Sequence, residues 1–193
     1  MAPLYQALLA DARFHALLLD MDADIAAACR SARCSCGGVL HSANFRRKPR
    51  GRPIGLGEEH DRRFSFCCAV DGCRDRATPP SLRFLGRKVY LATIVTLISA
   101  MRNGVTAARL RRLSGALGVD RRTIARWRAW WLSTFTAMPF WQAASAAFMP
   151  PADSSRLPAS VLDRFAGDAD QRLIAFLRFL APITGGASMR HAF

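Results

Sequence analysis

Cys34-Ser35-Cys36-Gly37-Gly38, followed about thirty residues later by Cys68-Ala69-Val70-Asp71-Gly72-Cys73, is the pattern on which the fold turns. Glycine accompanies both cysteine pairs, so each can make a tight turn that aims two thiolates and several backbone N–H groups at one point. Two such turns predict a tetrahedral Cys₄ zinc ribbon, with Cys34, Cys36, Cys68 and Cys73 as ligands and Zn²⁺ as a structural cofactor. The first pair is C-x-C rather than C-x-x-C, and Cys67 directly precedes Cys68. Phe64, Phe66 and Cys68 alternate onto one face of a strand that ends at the turn, which favours Cys68 over Cys67 as the third ligand. On spacing alone the choice stays open, with His41 and His60 as spare ligands. The competing reading is a set of reduced, buried thiols. Cys29, inside an apolar helix, is read as a core residue. With no secretory signal ahead of the cysteines, disulfides are not expected.

The 193 residues carry 28 basic and 14 acidic side chains, a net charge of +14 and a pI near 11.2. That excess points to a polyanionic partner. Only Lys48 and Lys88 are lysines, so arginine richness reflects composition as much as function, and placement has to carry the inference. Between Arg83 and Arg128 there are eleven basic residues and one acid, Asp120, whereas residues 1–28 hold four aspartates and one arginine. The charge is segregated, as a binding face requires. The most apolar run, residues 89–100, is shorter than the roughly 20 residues of a membrane span and contains Thr93, Thr96 and Ser99.

These patterns divide the chain into four parts. Residues 1–32 hold an amphipathic helix (3–29) whose apolar side is Leu4, Leu8, Phe14, Leu17, Leu18 and Ile25. Residues 33–87 form the zinc module, 88–135 a helical block, and 136–193 a looser, proline-punctuated segment that ends in a helix over 170–180. In the helical block, Tyr90, Ile94, Leu97, Ile98 and Met101 line a first helix, broken at Asn103-Gly104. Thr106 caps a second helix that buries Leu110, Leu113 and Leu117, and Gly118 suits its left-handed end. Val119 fills the corner, and Asp120 caps a third helix, 121–135. This order predicts a trihelical helix-turn-helix, whose last helix enters the major groove. At about 100° per residue, Arg122, Arg126, Ala129 and Ser133 fall opposite Ile124, Trp127, Trp131 and Phe135. Arg121, Arg122, Thr123 and Arg126 are the candidate base-reading residues, and Arg128 is expected to lie along the tryptophans. The competing reading is a three-helix bundle with a solvated basic face.

Between the cysteine pairs runs Arg46-Arg47-Lys48-Pro49-Arg50-Gly51-Arg52-Pro53, whose centre resembles the core of an AT-hook. Arg50, Arg52 and Arg111 are expected to meet phosphate, with minor-groove insertion of the Arg-Gly-Arg as the sharper alternative.

In motif order, residues 34–135 resemble the N-terminal region of insertion-sequence transposases that begin with a zinc ribbon and continue into a helix-turn-helix. The likeness covers the Cys-x-Cys-Gly-Gly turn, Arg63-Phe64-Ser65-Phe66, the stretch 78–91, and the run from Asn103-Gly104-Val105-Thr106-Ala107 to Arg122-Thr123. In those transposases the module recognises terminal DNA, and a metal-dependent RNase H-like catalytic domain follows. Here the acids after Phe135 are Asp153, Asp163, Asp168 and Asp170, with no alternating strand pattern to hold them, so strand cleavage is not expected.

The expected architecture is therefore mainly α with a small β zinc ribbon, followed by a trihelical helix-turn-helix. The expected function is a non-enzymatic, double-stranded-DNA-binding accessory protein of a mobile element. It would be cytoplasmic and nucleoid-associated, acting beside a transposase or recombinase encoded nearby. A transcriptional regulator using the same surface is the closest alternative, and an RNA-binding zinc protein a more distant one. Partner binding or homodimerisation through 136–193 is compatible with each.

Overall fold

A computed structural model of the chain describes residues 7–8, 11–48, 55–85, 90, 106–108, 111, 114–115 and 118–185. About half of the protein is helical, and the rest includes small antiparallel sheets of few strands. Elements are numbered in chain order among the described residues.

Helix α1 spans Ala12–Ser31 and is N-capped by Asp11, whose side chain accepts from the Arg13 N–H at 2.9 Å. Its buried stripe, Phe14, His15, Leu18, Asp22 and Ala26, follows four-residue spacing. Leu17, expected on the apolar side, lies off this stripe and is 43% exposed. A carboxylate stands in the middle of the stripe instead.

Strands β1 (Leu40–Ser42), β4 (Phe66–Cys68) and β5 (Arg76–Ala77) form one antiparallel sheet in the order β1-β4-β5. The register pairs Leu40 with Cys68, His41 with Cys67 and Ser42 with Phe66. Strands β2 (Phe45–Arg46) and β3 (Arg62–Arg63) form a second pair. The period-2 alternation turns Leu40, Phe66 and Cys68 toward Ala26 of α1, with Cys29 and Phe64 packed alongside.

Helix α2 (Arg121–Ala129) is N-capped by Asp120 and passes into a π-helical segment, Trp130–Phe135. The sequence pattern implies one α-helix over 121–135, but α-winding stops at Ala129. The Ser133 hydroxyl donates back to the Ala129 carbonyl at 2.7 Å, and the Thr136 hydroxyl to the Ser133 carbonyl at 2.8 Å. These back-bonds accompany the wider i→i+5 turns. Ile124, Trp127, Trp131 and Phe135 are buried together.

Upstream, Ala107, Ala108, Arg111, Ser114 and Gly115 are helical, and Gly118 takes φ +59° in the position expected for a left-handed terminus. Asn103-Gly104, Leu110, Leu113, Leu117 and most of 88–105 lie outside the described residues. Tyr90, expected in a helix, instead pairs its backbone with Phe84 in an isolated antiparallel bridge. Its hydroxyl lies 3.2 Å from His15 Nδ1.

The C-terminal segment is closely packed. Helices α3 (Pro139–Ala144), α4 (Ala159–Leu162) and α5 (Ala169–Leu180) deliver Trp141, Val161, Leu162, Leu173, Phe176, Leu177 and Leu180 to the main core. There they meet Phe14 and Leu18 of α1, Leu82, Phe84, Tyr90 and the aromatic face of α2. The apolar face of α5 is thus covered from within the chain. Asp168 and Gln171 close a reciprocal capping box at the start of α5.

Asp22 and Arg83, each fully buried, join these layers. Asp22 accepts from the Ser81 hydroxyl at 2.5 Å, the Leu82 N–H at 2.6 Å and Arg83 Nε at 2.8 Å. Arg83 also donates, through Nη1 and Nη2, to the carbonyls of His60 (3.1 Å) and Arg62 (2.9 Å). Arg63, also buried, donates to the carbonyls of Pro79, Pro80 and Thr184. Burial, opposed by Asp22 and helped by Arg47 and Arg83, lowers its pKa to about 10, so it stays charged at neutral pH.

Removing one member of a buried pair strands the other charge in a dry interior, at a cost of about 3–5 kcal/mol. Asp22→Asn is expected to lose that much in chemical denaturation. Asp22→Leu combined with Arg83→Met should lose less than either single substitution, because neither leaves a lone charge. Equal losses in the singles and the double would show that the pair is not the source of the effect.

Candidate metal centre and basic helix

The four cysteines reach one point from two turns. The first follows α1: Cys34 N–H donates to the Gly38 carbonyl at 3.0 Å, and Gly37 N–H returns to the Cys34 carbonyl at 2.8 Å. Gly37 sits at φ +84°, where a side chain would be strained. At Gly38 the need for glycine is one of space. A Cβ there would fall 2.6 Å from Val70 Cγ2 and 2.7 Å from Cys68 Sγ. The second turn follows β4, where Cys68 N–H donates to the Asp75 carbonyl at 2.9 Å and Cys73 N–H to the Val70 carbonyl at 3.2 Å. Ala69 N–H donates to the Val39 carbonyl at 3.0 Å and stitches the two turns together.

The sulfurs of Cys34, Cys36, Cys68 and Cys73 all lie within 4.8 Å of one another. Cys34 and Cys73 are 3.7 Å apart, and Cys36 and Cys68 are 3.5 Å apart. Four thiolates around one ion at about 2.3 Å would stand about 3.8 Å from each other, so the cluster is sized for a tetrahedral metal ion. Cys67 is outside it. Its position in the sheet turns its Sγ away, toward the Arg74 carbonyl at 3.6 Å. Cys29 packs against the small core beside the cluster, and burial raises its pKa. His41 is exposed on β1 and His60 is buried beside Glu59, and neither joins the four sulfurs.

Without an ion, the thiols share protons unequally. The Cys36 backbone N–H, aided by neighbouring thiols and opposed by burial, lowers the pKa of Cys34 to about 7. At Cys68 a donated Val70 N–H favours the thiolate. Burial and the competing claims of Cys36, Cys34 and Cys73 outweigh it and push the pKa up to about 12. An ion must therefore displace protons as it binds.

Two features of this site have no sequence signal. Arg33, just before Cys34, and Arg74, just after Cys73, both have left-handed backbones at φ +60° and +46°. Arginine is not a residue that advertises this conformation. The Arg33 side chain reaches the Gly37 carbonyl at 3.4 Å and braces the first turn.

The candidate nucleic-acid contacts divide three ways. Arg50 and Arg52 lie outside the described residues. Arg111 is exposed at a helical position, and Arg121, Arg122 and Arg126 are exposed on α2. Arg128, expected to lie along the tryptophans, is also exposed. Thr123 must be corrected: expected in the exposed first turn, it is 3% exposed, and its Oγ1 accepts from Arg126 Nη2 at 3.1 Å. It lies one position before Ile124, on the inner side of the helix. None of Arg121, Arg122, Arg126 and Arg128 has an acidic partner among the described residues. Among those residues, no helix is long and apolar enough to cross a membrane. Comparison with protein-family models, curated proteins and solved structures finds no match.

Cys67→Ser is expected to retain one metal ion per chain by elemental analysis, whereas Cys68→Ser and Gly38→Ala should lose it. Acidification should release the metal, since protons compete with it for the four thiolates. Metal retained in strong acid with a chelator present would contradict thiolate ligation.

Proposed function

We propose that this chain is a DNA-binding protein that recognises duplex sites of a mobile element without cleaving them, and acts beside a separately encoded transposase or recombinase. In this reading the cysteines hold a structural Zn²⁺ in a zinc ribbon, and the helices from 88 to 135 form a helix-turn-helix. Four thiolates suit zinc by donor softness, and a closed four-sulfur set leaves no open position for a reacting water. Cys34, Cys36, Cys68 and Cys73 would hold the ion, which would supply rigidity to the two turns rather than chemistry.

The observation that carries the reading is the outer face of α2. Arg121, Arg122, Arg126 and Arg128 are exposed there without acidic partners among the described residues, while Ile124, Trp127 and Trp131 anchor the opposite side in the core. A helix exposed merely for solubility tends to interleave acids with bases, and this one does not. Its cations can neutralise phosphates, and its width fits a major groove. The assignment to a mobile element rests on the motif order shared with insertion-sequence transposases.

Gel-shift titration of the zinc-loaded protein on duplexes flanking its gene tests the reading. Binding should weaken steeply with salt, log K falling by about 0.9 per log salt for each phosphate neutralised. Arg122→Ala with Arg126→Ala should reduce specific binding more than non-specific binding. A flat salt response, or preferential binding of structured RNA, would overturn the proposal.

A further inference from the structure

The exposed arginines of α2 are not equivalent. Arg126 alone among Arg121, Arg122, Arg126 and Arg128 has its guanidinium hydrogen-bonded to another described residue, through Nη2 to Thr123 Oγ1 at 3.1 Å. The anchor is itself held in place: Thr123 is buried and helical. Asp120, the nearest acid in sequence, is engaged as the N-cap, accepting from Arg122 N–H at 3.0 Å, and does not neutralise the group. Ala125 and Ala129, one residue before and three after Arg126, are exposed and small, so the helix can come close to a surface at this point.

We infer that Arg126 is the specificity-determining residue of α2, that Thr123 is its positioning residue, and that the feature read is the O6/N7 edge of a guanine. This rests on the reading of α2 as a helix that binds duplex DNA. The physical reason is pre-organisation. A free arginine loses rotamer freedom when it docks, and it can satisfy any phosphate from many conformations. A pinned one has already lost part of that freedom and presents the rest of its planar fork in one direction, which suits a bidentate acceptor pair. With Nη2 giving one hydrogen to Thr123, the Nε–H, both Nη1 hydrogens and the second Nη2 hydrogen remain to be shared with the base. Arg121, Arg122 and Arg128 lack such an anchor and serve as phosphate contacts.

The test is selection from a randomised duplex library by the zinc-loaded full chain, repeated with Thr123→Val, Thr123→Ser, Arg126→Lys and Arg122→Ala. The fold is checked by thermal unfolding and metal content. The wild type should select a guanine at a position whose preference, about 5- to 100-fold over other bases, disappears in Arg126→Lys even though the charge remains. Thr123→Val should weaken that preference several-fold at nearly unchanged non-specific affinity, and Thr123→Ser should restore it. Arg122→Ala should leave the preference intact and reduce the salt slope by about 1. If the Val variant does not fold, Thr123→Ala is compared with Thr123→Ser in its place. An undiminished guanine preference without the Thr123 hydroxyl overturns the pin alone. An Arg126-dependent preference for another base overturns the guanine assignment. Failure of the wild type to retain any duplex overturns the DNA reading itself, and this inference with it.

Discussion

The Asp22–Arg83 pair is the constraint around which the described parts of this protein are arranged. Neither group touches water, so each must find every partner inside the chain. Asp22 takes three donors from the 81–83 strap and Arg83 gives to two carbonyls in the 60–62 segment. A buried ion pair is weak as a source of net stability, because desolvation offsets most of its Coulomb attraction. Its contribution is exactness of assembly, since any arrangement that shifts the strap against α1 strands a charge. The guanidinium also lies over the ring of Phe84, 4.9 Å from its centroid, so the polar centre passes directly into the apolar core.

That arrangement places the cysteines. Helix α1 carries Asp22 and, three residues past its end, Cys34. The carbonyls that receive Arg83 stand at the entrance to β3, and β4 follows with Cys68. Fixing α1 against the 60–62 segment therefore brings two distant parts of the chain into register. The backbone bonds between the turns finish the alignment, and Gly38 leaves room for the sulfurs to meet.

How much of this could be read from the chain differs by element. The cysteine turns were legible because their geometry is local, set by glycine and by strand alternation at Phe64, Phe66 and Cys68. The aromatic face of α2 was legible because helical period and burial agree over Ile124, Trp127, Trp131 and Phe135. The role of Asp22 was not, for although helical period sets it beside Leu18 and apart from Asp20 and Asp24, its partners Ser81 and Arg83 lie far along the chain. Arg63 and Arg83 were counted toward a basic surface for the same reason. The packing of 136–168 was obscured by its prolines, which interrupt every periodic run even though Trp141, Leu157, Val161 and Leu162 are core residues. The π-helical winding at 130–135 is accompanied by hydroxyl back-bonds that no propensity scale registers.

Total charge therefore overstates the cationic surface, and the correction sharpens the functional reading. Arg63 and Arg83 are interior groups, the first hydrogen-bonded to carbonyls and the second to carbonyls and a carboxylate, and Arg46 is paired with Glu58 across the loop. Arg47 lies over the Phe45 ring, 4.5 Å from its centroid. Once these are set aside, the cations of α2 stand out by having no acidic partner among the described residues. They are also mounted on a helix whose other face is buried in the core that α5 shares, where the Trp131 ring lies 6.1 Å from that of Phe176. A flexible cationic tail attracts any polyanion. A one-signed face on a packed helix presents its cations in a defined arrangement, and that separates it from a diffuse basic surface.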